Sequence, residues 1–169
     1  MRTVQNVVGA LALVALGAMG LSDPAMAAPG ELDSSTRAQL ARLKAATARF
    51  HDIRVAELEG YSNSGLPCTE GMGYHWRKPA LIGTAIADQP PVLVYFPQSD
   101  GFMKLVAVEW VSFFNPANPA PQELFGQTFH LPTWPGGPTD RYVLHAWVWL
   151  PNEDGMFDDT NPKLHCPTP

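Results

Sequence analysis

The stretch KLVAVEWVSFF, residues 104–114, predicts a β-strand with an acidic residue in its middle. Side chains alternate between the two faces of a strand, so Glu109 shares a face with Ala107 and Val111, while Val and Trp side chains occupy the other face. A carboxylate in such apolar surroundings must be paired, hydrogen-bonded or bound to a metal ion. The strand therefore predicts both a part of the core and a part of a site.

Two further strands are predicted next to this one. Residues 92–96 precede it, and Asp100-Gly101 between the two is typical of a hairpin turn. Residues 142–150 alternate in the same manner and form a third strand. The segments between the strands are rich in proline and hold no regular element. This pattern predicts a small, mostly antiparallel sheet with long loops.

An amphipathic helix is predicted before the strands. Ser34 or Ser35 can cap its start, and Gly60 fits its end. Its apolar positions recur with a period of about 3.6 residues: Leu40, Leu43, Thr47, Phe50 and Leu58. Because this apolar face must be buried, the predicted fold class is α+β, with the N-terminal amphipathic helix packed on the sheet. The sheet could curl into a barrel.

The first residues of the chain have the form of a secretory signal peptide. Arg2 precedes an apolar run over residues 7–21, and Ala25-Met26-Ala27 has the small-x-small form of a cleavage site. The alternative is an uncleaved membrane anchor, for which this run is short. The predicted location is therefore secreted or periplasmic. The predicted organisation is a signal peptide over residues 1–27, a flexible N-terminus over 28–33 and a single α+β domain over 34–169.

The charge of the chain argues against two classes of partner. Its net charge is -5 at pH 7, and it has no run of basic residues. Such a chain binds nucleic acid or an anionic membrane poorly. We therefore expect a small molecule or a metal ion as the partner, with no nucleic acid and no membrane contact after signal cleavage.

The two cysteines of the chain, Cys68 and Cys166, are predicted to form a disulfide. Export leads to an oxidising compartment, in which such a pair is normally joined. The bridge would tie the C-terminal segment to the start of the domain. A metal site that uses these cysteines is the weaker alternative, because their spacing matches no zinc motif.

Four side chains in apolar or aromatic surroundings form the predicted metal site: His75, Glu109, His130 and His145. Imidazoles together with one carboxylate suit Zn, Cu, Fe, Mn or Ni. Ligands of this kind can meet from separate strands, although no local metal motif such as HExxH is present. The alternative is that the histidines are hydrogen-bonded core residues and that the carboxylate pairs with Arg77, Lys78 or Arg141.

The remaining motifs do not indicate a particular reaction. Trp134 lies in a Pro/Gly loop, where it could stack on a sugar or an apolar ligand, and this favours the alternative of a non-catalytic binding or structural domain. The acidic turn that ends at Asp159 lacks the register of a calcium loop and is predicted to be solvated. The chain contains no GxSxG elbow, no P-loop and no dinucleotide fingerprint.

Five segments have a recognisable form: ATARFHDIRVAELEGY, CTEGMGYHW, LVAVEWV, LFGQTFH and LHAWVWLPNEDGMFDDTNPKLHC. Together they resemble a family of small exported bacterial proteins of unknown function, and the GMGxH and LHxWxW…NPxxxC patterns are the most specific parts. The resemblance implies one domain and an exported location, and it implies no reaction. It includes His75, Glu109 and His145 in its segments.

Overall fold

A computed structural model describes residues 32–63, 65–114 and 121–168. The predicted signal peptide, residues 1–27, lies outside them, as do residues 28–31 of the predicted flexible N-terminus. The elements are, in chain order, helix α1 (Ser34–Thr47), a 3-10 turn (Ala48–His51), helix α2 (Ile53–Leu58), β1 (Tyr74–Arg77), a second 3-10 turn (Pro79–Leu81), β2 (Val92–Pro97), β3 (Met103–Phe113), β4 (Glu123–Leu124), β5 (Gln127–Thr128) and β6 (Arg141–Ala146).

The main sheet has four strands in the order β1-β2-β3-β6, and every neighbouring pair is antiparallel. Strands β4 and β5 form a separate two-stranded hairpin. The α+β class is confirmed. Among the described strands, β1 and β6 are edges that do not pair with each other, so the sheet is open and the barrel expectation is wrong.

The strands agree with the sequence pattern where they are long. Strands β2 and β3 lie within about a residue of the predicted positions. The third predicted strand ends at Ala146 instead of residue 150, because the amide of Trp147 leaves the ladder and donates to the carbonyl of Met156 (2.9 Å). Strand β1 was not predicted, since four residues are too few to show an alternating pattern.

The predicted single helix is two helices with a 3-10 turn between them. The cap of α1 is Asp33, whose carboxylate accepts from the amide of Thr36 (3.0 Å), and not Ser34 or Ser35. Asp52 has an extended backbone, interrupts the helix and caps α2. The predicted apolar position Leu58 is 88% exposed. No helix in the described parts of the chain is long and apolar enough to cross a membrane.

The two faces of the sheet have different surroundings. We call one of them the helix face, because its side chains share one buried cluster with residues of the helical segment: Leu40, Leu43, Phe50, Leu93, Tyr95, Trp110 and Leu144. The hydroxyl of Tyr95 also donates to the carbonyl of Phe50 (2.6 Å). The opposite face, which we call the site face, presents His75, Val92, Val94, Ala107, Glu109, Val111, Val143 and His145.

The predicted disulfide between Cys68 and Cys166 is confirmed, with a Cα–Cα distance of 5.8 Å. Hydrogen bonds continue the connection between the two segments. The amide of Gly71 donates to the carbonyl of Leu164 (3.1 Å), and the amide of Asn161 donates to the carbonyl of Gly71 (2.7 Å). The C-terminal segment is therefore fixed to the chain just before β1.

A close backbone approach sets the start of β1. Gly73 has a φ of +119°, and a Cβ atom at this position would lie 2.4 Å from the carbonyl oxygen of Tyr95. Only glycine allows this conformation together with this contact. The bend delivers His75, two residues later, to the site face of the sheet.

Candidate metal centre

Three strands place one ligand side chain each on the site face. His75 lies on β1, opposite Val94 of β2, and Glu109 of β3 lies directly opposite His145 of β6. Val94 in turn faces Ala107, two residues before Glu109. Because residues two apart on a strand share a face, the register brings these three ionisable side chains to the same side of the sheet.

The ligand atoms of these side chains converge. His75 Nε2 lies 3.6 Å from Glu109 Oε2, and His145 Nε2 lies 3.8 Å from Glu109 Oε1. One nitrogen or oxygen atom from each of the three residues lies within 4.8 Å of the other two. Ligand atoms around a tetrahedral zinc ion, at bond lengths of about 2.0–2.1 Å, are about 3.3 Å apart. A small inward shift of the side chains would therefore bring the three ligand atoms to the distances found around a zinc ion.

The cluster is buried, and one of its polar atoms has no partner. The side chain of His145 is 0% exposed, that of Glu109 8% and that of His75 14%. Within the described residues, His145 Nε2 has no hydrogen-bond partner, since Glu109 Oε1 at 3.8 Å is too distant. A buried polar atom without a partner costs about 1–3 kcal/mol, so this nitrogen is a candidate for a ligand.

Asp159 holds the ring of His145 from behind. Its Oδ1 lies 3.0 Å from His145 Nδ1, while Oδ2 accepts from the amide (2.8 Å) and the hydroxyl (2.7 Å) of Thr133. These hydrogen bonds outweigh burial and hold the pKa of Asp159 at about 2. The carboxylate assigns the hydrogen to Nδ1 and turns Nε2 towards Glu109. A carboxylate behind a ligating histidine is typical of metal sites.

Sequence reasoning missed Asp159. The acidic turn that contains it was predicted to be solvated, whereas Asp159 is only 3% exposed. The neighbouring Asp158 is exposed, so the composition of the turn does not separate the two carboxylates. No periodic pattern marks an irregular segment, and the only available signal was that the turn precedes a cysteine predicted to be cross-linked.

Burial and neighbouring charges set the protonation of the cluster. Burial lowers the pKa of His75 to about 3, and His145 adds to this effect. Burial raises the pKa of Glu109, although His145 opposes the change. Burial alone would lower the pKa of His145, but Glu109 and Asp159 outweigh it and raise that pKa. At neutral pH, His75 is therefore uncharged and has a free lone pair, while the raised pKa of His145 means that a proton competes with a metal ion for this ring.

His130, the fourth predicted ligand, lies outside this group. Its Nε2 is 3.7 Å from Asp159 Oδ1, and its Nδ1 is 2.9 Å from the carbonyl oxygen of Leu131. Its backbone pairs with Val143 of β6. His130 thus contacts the carboxylate behind His145 and does not join the three converging side chains.

A cavity of about 150 Å³ lies over the cluster. His75 and Glu109 form part of its wall, together with Arg77, Arg141 and Trp134. Trp134 is partly buried, and its ring meets His145 edge-on with a centroid distance of 5.9 Å. This tryptophan, predicted to be a stacking surface, packs beside the cluster.

Glu109 contacts imidazoles instead of the cations that were the predicted alternative. In the described part of the chain, the basic side chains with a nitrogen within 4 Å of its carboxylate are His75 (3.6 Å) and His145 (3.8 Å). Arg141 holds Asp140 (2.7 Å), and Lys78 lies over the ring of Tyr61 (5.4 Å). The carboxylate is therefore available to a metal ion. No family model, curated protein or solved structure matches the chain, so the function must be argued from this geometry.

Proposed function

We propose that the protein binds one divalent transition-metal ion through His75 Nε2, the carboxylate of Glu109 and His145 Nε2. The observation that supports this most strongly is the orientation of His145. Its buried Nε2 faces Glu109 and has no hydrogen bond to any described residue, while Asp159 holds the other ring nitrogen. Two imidazoles and one carboxylate suit Zn, Cu, Fe, Mn and Ni.

The proposed centre belongs to the open kind. Structural zinc sites are closed by four protein ligands, whereas catalytic sites have three and leave a position for water or substrate. Here three ligands converge below a cavity of about 150 Å³, which has room for a small ligand. A metal ion at this place would supply Lewis-acid or redox chemistry to that ligand. We place the protein in a secreted or periplasmic compartment, an assignment with which the disulfide agrees.

The alternative is a non-catalytic secreted domain whose histidines only pack in the core. It predicts that the three side chains are satisfied within the chain. The buried Nε2 of His145 favours the metal centre over this alternative, because a packed histidine normally has a partner for each ring nitrogen.

Metal analysis separates the two. We expect purified wild-type protein, dialysed after exposure to Zn²⁺, to retain one zinc per chain and to melt at a higher temperature than the metal-free form. Glu109→Gln keeps the shape of the side chain but weakens the ligand, and we expect it to retain no stoichiometric zinc. His51→Ala is the matched control, because it removes an exposed imidazole outside the cluster.

Two outcomes would refute the metal centre. One is a wild-type protein that takes up no Zn²⁺, Cu²⁺, Ni²⁺, Mn²⁺ or Fe²⁺ and whose melting temperature does not change when these ions are added. The other is equal zinc retention by wild type and Glu109→Gln. A His75→Ala variant guards against a folding defect in a single variant, because His75 lies on an edge strand.

A further inference from the structure

We propose that the ligand of this centre is a small organic carboxylate, bound by Arg77 and with its apolar part in the cavity next to the site. This inference rests on the proposed metal centre and names the chemistry of its ligand. Four observations support it: the wall shared by two cavities, the guanidinium of Arg77 without a partner among the described residues, the local charge and the apolar wall.

A larger cavity of about 480 Å³ adjoins the site. Arg77, Val111 and Arg141 line both this cavity and the smaller one over the cluster. These three side chains therefore stand between the metal ligands and the larger space. Its volume lies within the range of about 300–1,000 Å³ that is typical of small-molecule sites.

Arg77 lies in the same cross-strand row as Glu109. Both residues pair with Val92, one from each side, so their side chains project from the same face at the same level of the sheet. Arg77 is partly buried, and its guanidinium has no hydrogen bond or ion pair with residues 32–63, 65–114 or 121–168. Three other guanidinium groups hold carboxylates: Arg49 holds Glu59, Arg54 holds Asp52 and Arg141 holds Asp140.

The guanidinium of Arg77 can receive an anion at the cavity. Arg77 and Arg141 line the same small cavity as His75 and Glu109, and Arg141 is paired with Asp140 (2.7 Å). Both guanidinium groups are thus close enough to act on the ligands of the proposed centre. A bound divalent metal ion would add to this positive potential. A guanidinium group matches the two oxygens of a carboxylate and can donate to both.

The remaining wall of the larger cavity is mostly apolar. It is formed by Pro79, Ile82, Val111 and Phe113, with Ser62 as a polar member. Arg141 lies over the ring of Phe113 with a distance of 4.7 Å, so its guanidinium covers an aromatic surface at the rim. A ligand that fits this wall has an apolar body of the size of one aromatic ring or a short acyl chain. Benzoate is therefore the appropriate probe.

The test is a titration of zinc-loaded protein with benzoate, followed by calorimetry, with zinc content measured first. We expect wild type to bind benzoate at least about tenfold more tightly than benzamide, which has the same shape without the charge. Arg77→Gln is expected to weaken benzoate binding at least about tenfold and to keep its zinc, and Arg77→Lys to recover part of the affinity. Arg54→Gln is the matched control, because it removes an exposed arginine of helix α2 that lines neither cavity.

The possible failures are distinct. A wild-type protein without zinc refutes the metal centre. A fully zinc-loaded wild type that does not bind benzoate, or that binds benzamide equally well, refutes the carboxylate ligand and leaves the metal centre in place. Equal benzoate affinity in wild type and Arg77→Gln refutes the role of Arg77. If Arg77→Gln loses zinc along with benzoate binding, zinc-loaded Arg77→Lys is measured in its place. We expect it to bind benzoate more weakly than wild type does, and unchanged affinity refutes the role of the Arg77 guanidinium.

Discussion

The helix face and the site face of the sheet differ in the partners of their buried polar groups. On the helix face, the hydroxyl of Tyr61 donates to the carbonyl of Pro90 (2.7 Å), and the indole of Trp110 donates to the carbonyl of Ile86 (3.0 Å). Burial raises the pKa of Tyr61 to about 12, so this group stays neutral. On the site face, the buried polar groups are ionisable and contact one another, and His145 Nε2 has no partner in the part of the chain that the structure describes.

This difference indicates that the two faces have different roles. Neutral donors that reach backbone carbonyls complete a core without adding charge, and they hold the helix face in one arrangement. Buried ionisable groups that face one another reduce stability unless a ligand or a proton satisfies them. We therefore expect stability to depend mainly on the helix face and metal binding mainly on the site face.

The largest expected effect on stability is on the helix face. Leu43 is fully buried in its cluster, so Leu43→Ala should lower the free energy of unfolding of the metal-free protein by about 2–5 kcal/mol. Urea unfolding at 25 °C measures this loss. The zinc affinity of the remaining folded protein should stay within a factor of about two of wild type, because the side chain does not reach the cluster. A parallel fall in zinc affinity would contradict the separation of the two faces.

The next effect tests the site face through Asp159. Asp159→Asn keeps the size of the side chain but removes the charge that orients His145, and we expect zinc affinity to fall about 10–100-fold. Asp158→Asn is the control, since that residue is adjacent and exposed. Competition titrations with a zinc chelator measure both variants. Equal losses in the two variants would show that only the net charge of the turn matters.

The smallest effect is the response of zinc affinity to pH. Glu109 and Asp159 raise the pKa of His145 above its ordinary value of 6.5, while His75, whose pKa is about 3, is already neutral. Below pH 6.5 a proton therefore competes with the metal ion for His145, and each further unit of acidification should lower zinc affinity at least about tenfold. Calorimetry in two buffers with different ionisation enthalpies should reveal release of a proton on binding. Affinity that does not change between pH 6.5 and 5 would contradict this protonation.

The sequence predicted the parts of the site that lie on long strands. Glu109 was identified because it is a carboxylate within the apolar stretch of β3, and His145 because it lies in a strand among aromatic side chains. Register then determines that these residues are direct partners, which a single strand pattern cannot show. His75 was selected for its aromatic neighbours, although the strand that positions it is too short to be recognised.

The parts that were not predicted depend on contacts between distant segments. Asp159 reaches His145 only because the C-terminal segment folds back over the site face. His130 has the same local appearance as the other histidines, yet its backbone pairing with Val143 directs it to Asp159. The open edges of the sheet follow from pairings that alternation alone does not determine, and for this reason the barrel expectation failed.

The fixation of the C-terminal segment has a consequence for the order of folding. Helix α1 and the four strands of the main sheet all precede Asp159 and Cys166 along the chain. The disulfide joins residues 98 positions apart, and contacts over such distances form late because the intervening chain must first be brought together. The helix face can therefore begin to pack before the C-terminal segment is in place. The site face gains the carboxylate that orients His145 only when that segment folds back.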